Sequence, residues 1–392
     1  MTNSVRLNLL LLSCPISHPR AIGLGTALSE KGHTVTIVTA SRIRRLRPQM
    51  VRESSNLRVV YLPGFRDQYD YSGYLMRLLF YGSFCSAPFD LLHFFTPSQP
   101  YALLGTAISR NLGILTGSKF VVDWDEPWGG GGLAREHGTI IRILMHSLER
   151  ATLRSADYVT LGSHMLSREF SMFARNNPVR QVIHNGNTVT SIPNKKDARR
   201  LLGIDEDCLV LMYQGNYTTA NYLQLLKLTY ERLFNIDRRF CLVLLGGSIW
   251  NTSDFPAQQR GTIIAKKRIP VSELEAFHGA ADIALLPLEQ NIFDSHRYPL
   301  RLSDYLFAGL PIVSTEVGES GMVIRQNKCG LLSSAHDPDA FAENVRILAL
   351  DEELRKSLGA NAKRAALANF TWAVGASKAE QIYAQALDGT TA

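Results

Sequence analysis

The chain has 392 residues, 45% of them hydrophobic and 20% charged. That is a globular balance, it excludes a disordered or low-complexity protein, and it is long enough for two cores of ordinary size. The net charge of +7 lies wholly in the first half: residues 1–190 hold 20 Lys/Arg against 12 Asp/Glu, and the remainder holds 22 against 23. The five cysteines (Cys14, Cys85, Cys208, Cys241 and Cys329) are scattered without C-x-x-C spacing, which argues against a zinc site or disulfide frame and for a reducing, cytoplasmic compartment.

The opening VRLNLLLLSCP has an apolar run broken by Asn8 and no small-x-small site. It reads as a buried first strand over 7–12 rather than a signal peptide. No later run approaches the roughly 18 apolar residues needed to span a bilayer. A Pro/Gly loop over 15–23 then leads into a helix closed by Gly32, before the strand TVTIVTA at 34–40. In that loop, Gly23 is a candidate for close backbone approach to a phosphate, with Arg20 three residues before it. The pair Gly23-Leu24-Gly25 lacks the third glycine of a dinucleotide fingerprint and sits in a helix rather than a turn, and no Walker pattern is present.

Arg42, Arg44, Arg45 and Arg47 form a basic cluster, and residues 69–89 form an aromatic stretch with Arg77 inside it. The basic half fits an anionic partner, either a membrane surface touched peripherally at its inner face or a phosphorylated acceptor. It does not fit nucleic acid, because no element interleaves basic and aromatic residues. Strands follow at LRVVYLP, DLLHFF, KFVVDWD and YVTLGS, with a helix over 140–154. His93 ends one of these strands. VVDWDEPWGGGG, residues 121–132, sets Asp123 and Asp125 as candidate site carboxylates behind a strand, ahead of Trp128 and a run of four glycines.

Near VIHNGN (182–187) the series restarts, with Asn185-Gly186 read as a tight turn tolerating positive φ. A linker over 190–200 leads to the strand LVLMYQG at 209–215, a helix from about Tyr222, and strands at CLVLLGG, GTIIAKK, DIALLPL, PIVSTEV and CGLLSS. Strands alternating with helices imply parallel sheets covered on both faces. The fold class is α/β, two doubly wound Rossmann-like domains over 1–188 and 189–366, facing a cleft that their strand ends line. A largely helical tail occupies 354–387, and 367–392 forms the crossing segment.

RYPLRLSDYLFAGLPIVSTEVGE, 297–319, is the most informative stretch. Pro299 suits a first helical turn, Gly309 a helix stop, and Pro311 forbids continuation. Arg301 and Asp304 fall on one side of that helix. Its N-terminus is a natural diphosphate seat with Arg297 and Arg301 beside it, and Asp304 can accept from ribose hydroxyls.

These stretches, together with PISHPRAIG, GHTVTIVTA, RSADYVTLGS, VSELEAFHGAADIALLPL and the tail FTW…IY, resemble the retaining GT-B glycosyltransferases of family 4, across most of the chain. The resemblance implies transfer of a sugar from a UDP-, GDP- or other nucleotide-diphosphate donor to an acceptor hydroxyl, without a metal or other cofactor. It implies that Asp304 takes the second motif carboxylate's place on the ribose. The first motif carboxylate falls at His296, so that role is unmatched, although His296 or the backbone at Ser295 can still face the sugar. A basic pair expected after the first strand of the second domain is missing from GNYTTANY, where Gly215 and Asn216 remain as donor contacts. Arg297 and Arg301 are read as its replacement, with Ile269 flanking the nucleobase. The acceptor is read as a lipid, a glycan precursor or a small molecule, met by Arg20, His93, Trp128 as an apolar sugar platform, and Gly129 and Gly130 in a mobile loop ending at Gly132, with Asp123 and Asp125 facing the sugar or the acceptor. Two other readings stay open: another GT-B activity (an inverting transferase with Asp125 as base, or an epimerase), and a non-catalytic partner subunit.

Overall fold

A computed structural model of the chain describes residues 6–13, 18–40, 49–62, 89–97, 119–130, 132, 138–174, 178–215, 220–246, 252–267, 269–335 and 337–389. The arginine cluster at 42–47, the aromatic stretch before Phe89, Gly131, Asn216 and Arg268 lie outside the described residues. Two compact units are present, residues 1–186 with 372–392 and residues 187–371.

The first unit is built on β1 (Asn8–Leu12), β2 (Thr34–Ala40), β3 (Gln49–Arg52), β4 (Leu57–Leu62), β5 (Leu91–Phe95), β6 (Lys119–Trp124), β7 (Tyr158–Leu161) and β8 (Val179–Val182), with helices α1 (His18–Glu30), α2 (Thr139–Ser155) and α3 (His164–Phe173). The sheet runs β3-β4-β2-β1-β5-β6-β7-β8. Its pairs are parallel except β3 with β4, an antiparallel edge absent from the sequence reading. Leu9, Leu10 and Leu11 are all fully buried, as a central parallel strand covered on both faces requires. The chain moves from β1 to β2 on one side and to β5 on the other, so the switch point lies between β1 and β5. Helix α1 starts at His18, earlier than the expected loop end, so Gly23 is inside the helix.

The second unit holds β9 (Leu209–Gln214), β10 (Phe240–Leu245), β11 (Ile263–Lys266), β12 (Ile283–Leu286), β13 (Ile312–Thr315) and β14 (Gly330–Ser333), in the order β11-β10-β9-β12-β13-β14. Its helices are α4 (Lys195–Leu202), α5 (Ala220–Ile236), α6 (Val271–Ala280), α7 (Ile292–His296), α8 (Leu300–Ala308), α9 (Gly318–Asn327), α10 (Pro338–Leu350) and α11 (Glu352–Asn369). Alternation along β9 feeds two cores. Val210 and Met212 enter one, Leu211 and Tyr213 the other. Each such fully buried side chain contributes about 1.5–3 kcal/mol. The switch point is between β9 and β12, and in sheets of this kind ligands bind beyond the carboxyl ends there. Asn194 caps α4, so a helix occupies the second half of the expected linker.

The expected single helical tail is interrupted. Phe370 stacks on Tyr298 in the second unit, with ring centroids 5.4 Å apart. The next helix, α12 (Trp372–Asp388), joins the first unit's core through Ala379, Ile382 and Tyr383. The chain leaves the first unit at Gly186 and returns at Trp372. These two residues touch, for a Cβ on Gly186 would lie 2.4 Å from the Trp372 nitrogen. Neither Asn185 nor Gly186 has positive φ. The glycine is required for space, not for the turn conformation read from Asn-Gly.

Candidate active site

In the first unit, β6 carries Asp123 to a position where its carboxylate is fully buried. Arg20, 2% exposed, reaches it from α1 with two hydrogen bonds of 2.8 Å, Nε to Oδ2 and Nη2 to Oδ1. The same guanidinium donates to Asn185 Oδ1 at 3.0 Å and to the Ile183 carbonyl at 2.8 Å. Thr160 on β7 donates to Asp123 Oδ1 at 2.6 Å. Thr160 must then accept from His93 Nε2, 2.9 Å away, which leaves His93 Nδ1 to accept from Tyr383 at 2.8 Å. Burial pushes the His93 imidazole down to about 4, so this ring is neutral at pH 7. The chain of bonds joins α12, β5, β7, β6 and α1. Arg20, Asp123 and His93, expected to meet acceptor or sugar, are therefore held in a buried network whose bonds all go to protein.

Asp125 stands beyond the end of β6 and is different. Its Oδ1 is buried with no hydrogen-bond partner among the described residues. Burial first, then the nearby Glu126 and Asp123, hold its carboxyl well above the ordinary range, while Arg20 acts in the opposite sense. A carboxyl with one buried, unpartnered oxygen at the carboxyl end of a parallel sheet is placed for chemistry.

The loop that follows is pinned by a residue the sequence reading passed over. Glu149 on α2 accepts from Trp124 Nε1 (2.9 Å), the Trp128 backbone (2.9 Å) and the Gly129 backbone (3.0 Å). Burial raises its carboxyl to about 7. Trp128 is only 2% exposed, so its indole is inside the unit and is not offered as a sugar platform. Gly129 packs on His146 of α2, and the Gly132 N–H closes onto the Gly129 carbonyl at 2.9 Å. Gly130, in the loop expected to be mobile, has φ +60. Glu149 was findable: Met145, Glu149, Thr152 and Leu153 are the buried residues of α2, a helical stripe in which the acid replaces an apolar residue. Gly23 faces Trp372, whose ring lies 2.1 Å from where a Cβ would sit. It serves helix packing and not a phosphate.

In the second unit, β9 and β10 both end in glycines of positive φ, Gly215 (143°) and Gly246 (85°). Beneath Gly215 lies the guanidinium of Arg301, whose Nη1 donates to Tyr213 (2.7 Å) and to the Gln214 carbonyl (3.0 Å). A Cβ on Gly215 would meet that Nη1 at 2.0 Å, so only glycine allows the cation to come so close to the strand end. Arg297 is placed otherwise. Nε (3.0 Å) and Nη2 (2.8 Å) both go to Asp294, and its plane stacks on Phe293 at 4.2 Å. Of the two arginines read as neutralising a diphosphate, Arg297 already has its charge matched by a fully buried carboxylate.

Asp304 is fully buried on α8. Oδ1 accepts from the backbone N–H groups of Thr188 and Val189, and Oδ2 accepts from Gln214 Nε2 at 3.1 Å. Its oxygens tie the start of the unit to the end of β9 and are not presented to a ribose. Its carboxyl is raised by burial, against the pull of His278 and these donors. His296 directs Nδ1 to the Ile292 carbonyl at 2.9 Å. Next to it the Ser295 carbonyl lies only 1.9 Å from the Cβ position of Gly318, φ +46. Close packing there brings two residues the sequence reading missed, Glu319 and Ser320 in the first turn of α9, both fully buried. The Ser320 hydroxyl has no partner among the described residues. Ile269 precedes α6 and packs partly buried on the core.

Comparison with known proteins places both units. Residues 18–186 match the family model described as "Glycosyl transferase 4-like domain", and residues 194–365 match "Glycosyl transferases group 1". A D-inositol 3-phosphate glycosyltransferase of Corynebacterium efficiens is 29% identical over 199 residues, 48% of this chain and 46% of the relative. The N-acetyl-alpha-D-glucosaminyl L-malate synthase of Bacillus anthracis is 25% identical over 260 residues, 63% of this chain and 66% of that one. The chain spans about half the length of the first of these curated relatives. Among solved structures, the sucrose-phosphate synthase of Thermosynechococcus elongatus superposes with TM-score 0.77 at 18% identity, covering 98% of this chain and 100% of the other. WaaG, a glycosyltransferase involved in lipopolysaccharide biosynthesis, gives 0.66 at 17%, covering 96% and 99%. The fold is GT-B.

Proposed function

The chain belongs to the glycosyltransferases, its first unit to the family 4-like domains and its second to group 1, and we propose that it transfers a sugar from a nucleotide-diphosphate donor to an anionic acceptor bearing a hydroxyl. One observation carries the donor half of this reading. Arg301 sits directly under Gly215 at the switch point of the second sheet, where a leaving diphosphate needs a fixed cation. The acceptor half is supported by the basic first half of the sequence. It is also supported by relatives named for D-inositol 3-phosphate and L-malate, both anionic.

Transfer with retention needs no strong enzyme base, because the leaving phosphate can take the acceptor proton while the protein orients both substrates. Asp125 is the residue assigned to the reacting centre, near the sugar or the acceptor hydroxyl. Because burial makes it more basic than an ordinary carboxylate, a second reading has Asp125 as general base and the anomeric centre inverted; NMR of the product's anomeric configuration separates the two. The acceptor can also be a lipid at an anionic surface. Ile140, Ile143 and Leu144 on α2 are 84%, 62% and 56% exposed, and no helix of the described residues is long and apolar enough to cross a membrane.

The test is Arg301→Met, examined by circular dichroism for folding and by thermal shift against a panel of nucleoside diphosphates. The parent chain should show a rise in melting temperature with one of them. The variant should need at least tenfold more of it for the same rise and should lose turnover with the matching nucleotide sugar. An unchanged titration removes Arg301 from the donor seat, and donor binding without turnover by the parent chain marks a silent relative.

A further inference from the structure

We propose that Cys208 and Cys241 are a thiol pair that closes into a reversible intrachain disulfide, a modification site at the end of the second sheet remote from the nucleotide seat. Cys208 immediately precedes β9 and Cys241 is the second residue of β10. The two strands pair in parallel with Leu209 opposite Phe240 and Val210 opposite Cys241. That ladder fixes the backbones, and it brings the sulfurs to 2.9 Å, the Cys241 thiol donating to Cys208. No other described cysteine shares this geometry: Cys329 is fully buried and its thiol is directed at the Ile324 carbonyl.

The pair is asymmetric in a way that orders the reaction. Cys208 is half-buried and accessible to a small oxidant, whereas Cys241 is 8% exposed. Burial, with the neighbouring sulfur second, pushes the Cys241 thiol up to about 12, so the more accessible Cys208 is oxidised first and Cys241 resolves. With hydrogen peroxide as oxidant, the Cys208 thiol becomes a sulfenic acid and releases one water. Cys241 sulfur then attacks the Cys208 sulfur, and the departing hydroxide takes the Cys241 proton as a second water. Two thiols and one peroxide give one disulfide and two waters, and a small dithiol reverses the bond. The bond would close a loop between residues 33 apart in sequence, which restricts the unfolded chain and stabilises the unit. Gly215 and Gly246 lie at the opposite ends of the same two strands, so donor binding should be untouched.

The experiment exposes the folded full-length chain to hydrogen peroxide, blocks free thiols, digests with trypsin and analyses peptides by mass. Residues 201–227 should appear joined to residues 240–260, 2 Da lighter than their sum, and dithiothreitol should part them. The oxidised protein should melt higher while its nucleoside-diphosphate titration stays the same. Cys208→Ser and Cys241→Ser should each abolish the joined peptide. Recovery of Cys208 as a sulfinic acid with Cys241 still blocked as a free thiol overturns the proposal, as does loss of nucleotide binding on formation of the bond.

Discussion

Arg20 makes four hydrogen bonds in the interior of the first unit, two of them to one carboxylate. Its replacement by Ala leaves Asp123 buried with Thr160 as its one remaining hydrogen-bond donor among the described residues and removes the ties to Asn185 and Ile183. Breaking one side of a buried pair costs about 3–5 kcal/mol. Arg20→Ala should therefore lower the first unit's urea midpoint by a corresponding amount; full stability with lost turnover would instead mean that Arg20 meets a ligand. At this scale the sequence was partly legible. Asp123 and Asp125 read as facing sugar or acceptor, Arg301 as a diphosphate contact and Asp304 as a ribose contact; the residues are central to each unit, but Asp123 and Asp304 spend their oxygens on protein donors. What sequence does not carry is the direction of a side chain two positions along a strand. Asp123 and Asp125 share a face by alternation, yet one is inside a hydrogen-bond network because β6 still pairs with β7 at Asp123, and the other is past the strand end.

At the scale of the element, α2 illustrates how a helix sets the chemistry of a loop it does not belong to. Glu149 gathers three N–H donors from the Trp124–Gly129 segment, so the loop's shape is decided by a residue 20 or more positions away. The group has a pH signature. Its folded-state value of about 7 lies above the usual 4.5, so its contribution is fully present below about pH 4.5 and is lost as pH rises toward 7. His93, held near 4 against the usual 6.5, contributes fully above pH 6.5 and loses that contribution as pH falls toward 4. Each effect is of order 3 kcal/mol, and they oppose each other across nearly the same window. Relative to the parent, Glu149→Gln should lose first-unit stability on acidification from pH 7 to 4.5, and His93→Gln should gain it, as read by urea unfolding at each pH. Parallel curves for all three proteins would sink the assignment. The strands were readable here because apolar runs bounded by glycine and proline leave few alternatives. The break between α11 and α12 was not, since neither residue at the joint breaks a helix; Phe370 and Thr371 interrupt it only because Phe370 and Trp372 are claimed by different cores.

For the whole molecule, the Asp-x-Asp pattern at 123–125 raises the question of a cation. A metal bridging both carboxylates would require Asp123 to surrender Arg20, whose charge it already balances. Turnover should thus persist in EDTA and show no stimulation by Mn²⁺ or Mg²⁺; strict dependence on either would overturn this. Two doubly wound units and a returning tail helix were legible from the alternation of elements. The edge strands β3 and β8 of the first sheet were not, because QMVR and VRQV are too short and too polar to leave a periodic signal. One consequence concerns synthesis. The second unit is a single uninterrupted stretch, 187–371, whereas the first is completed by 372–392. As the chain emerges from the ribosome, the second unit has all its residues before the first does, and Ile382 and Tyr383 come to seal a sheet whose last strand, ending at Val182, was made roughly 200 residues earlier. The first-made sheet is therefore finished after the second, and until then the surface for α12 stays uncovered, a surface that chaperones can hold.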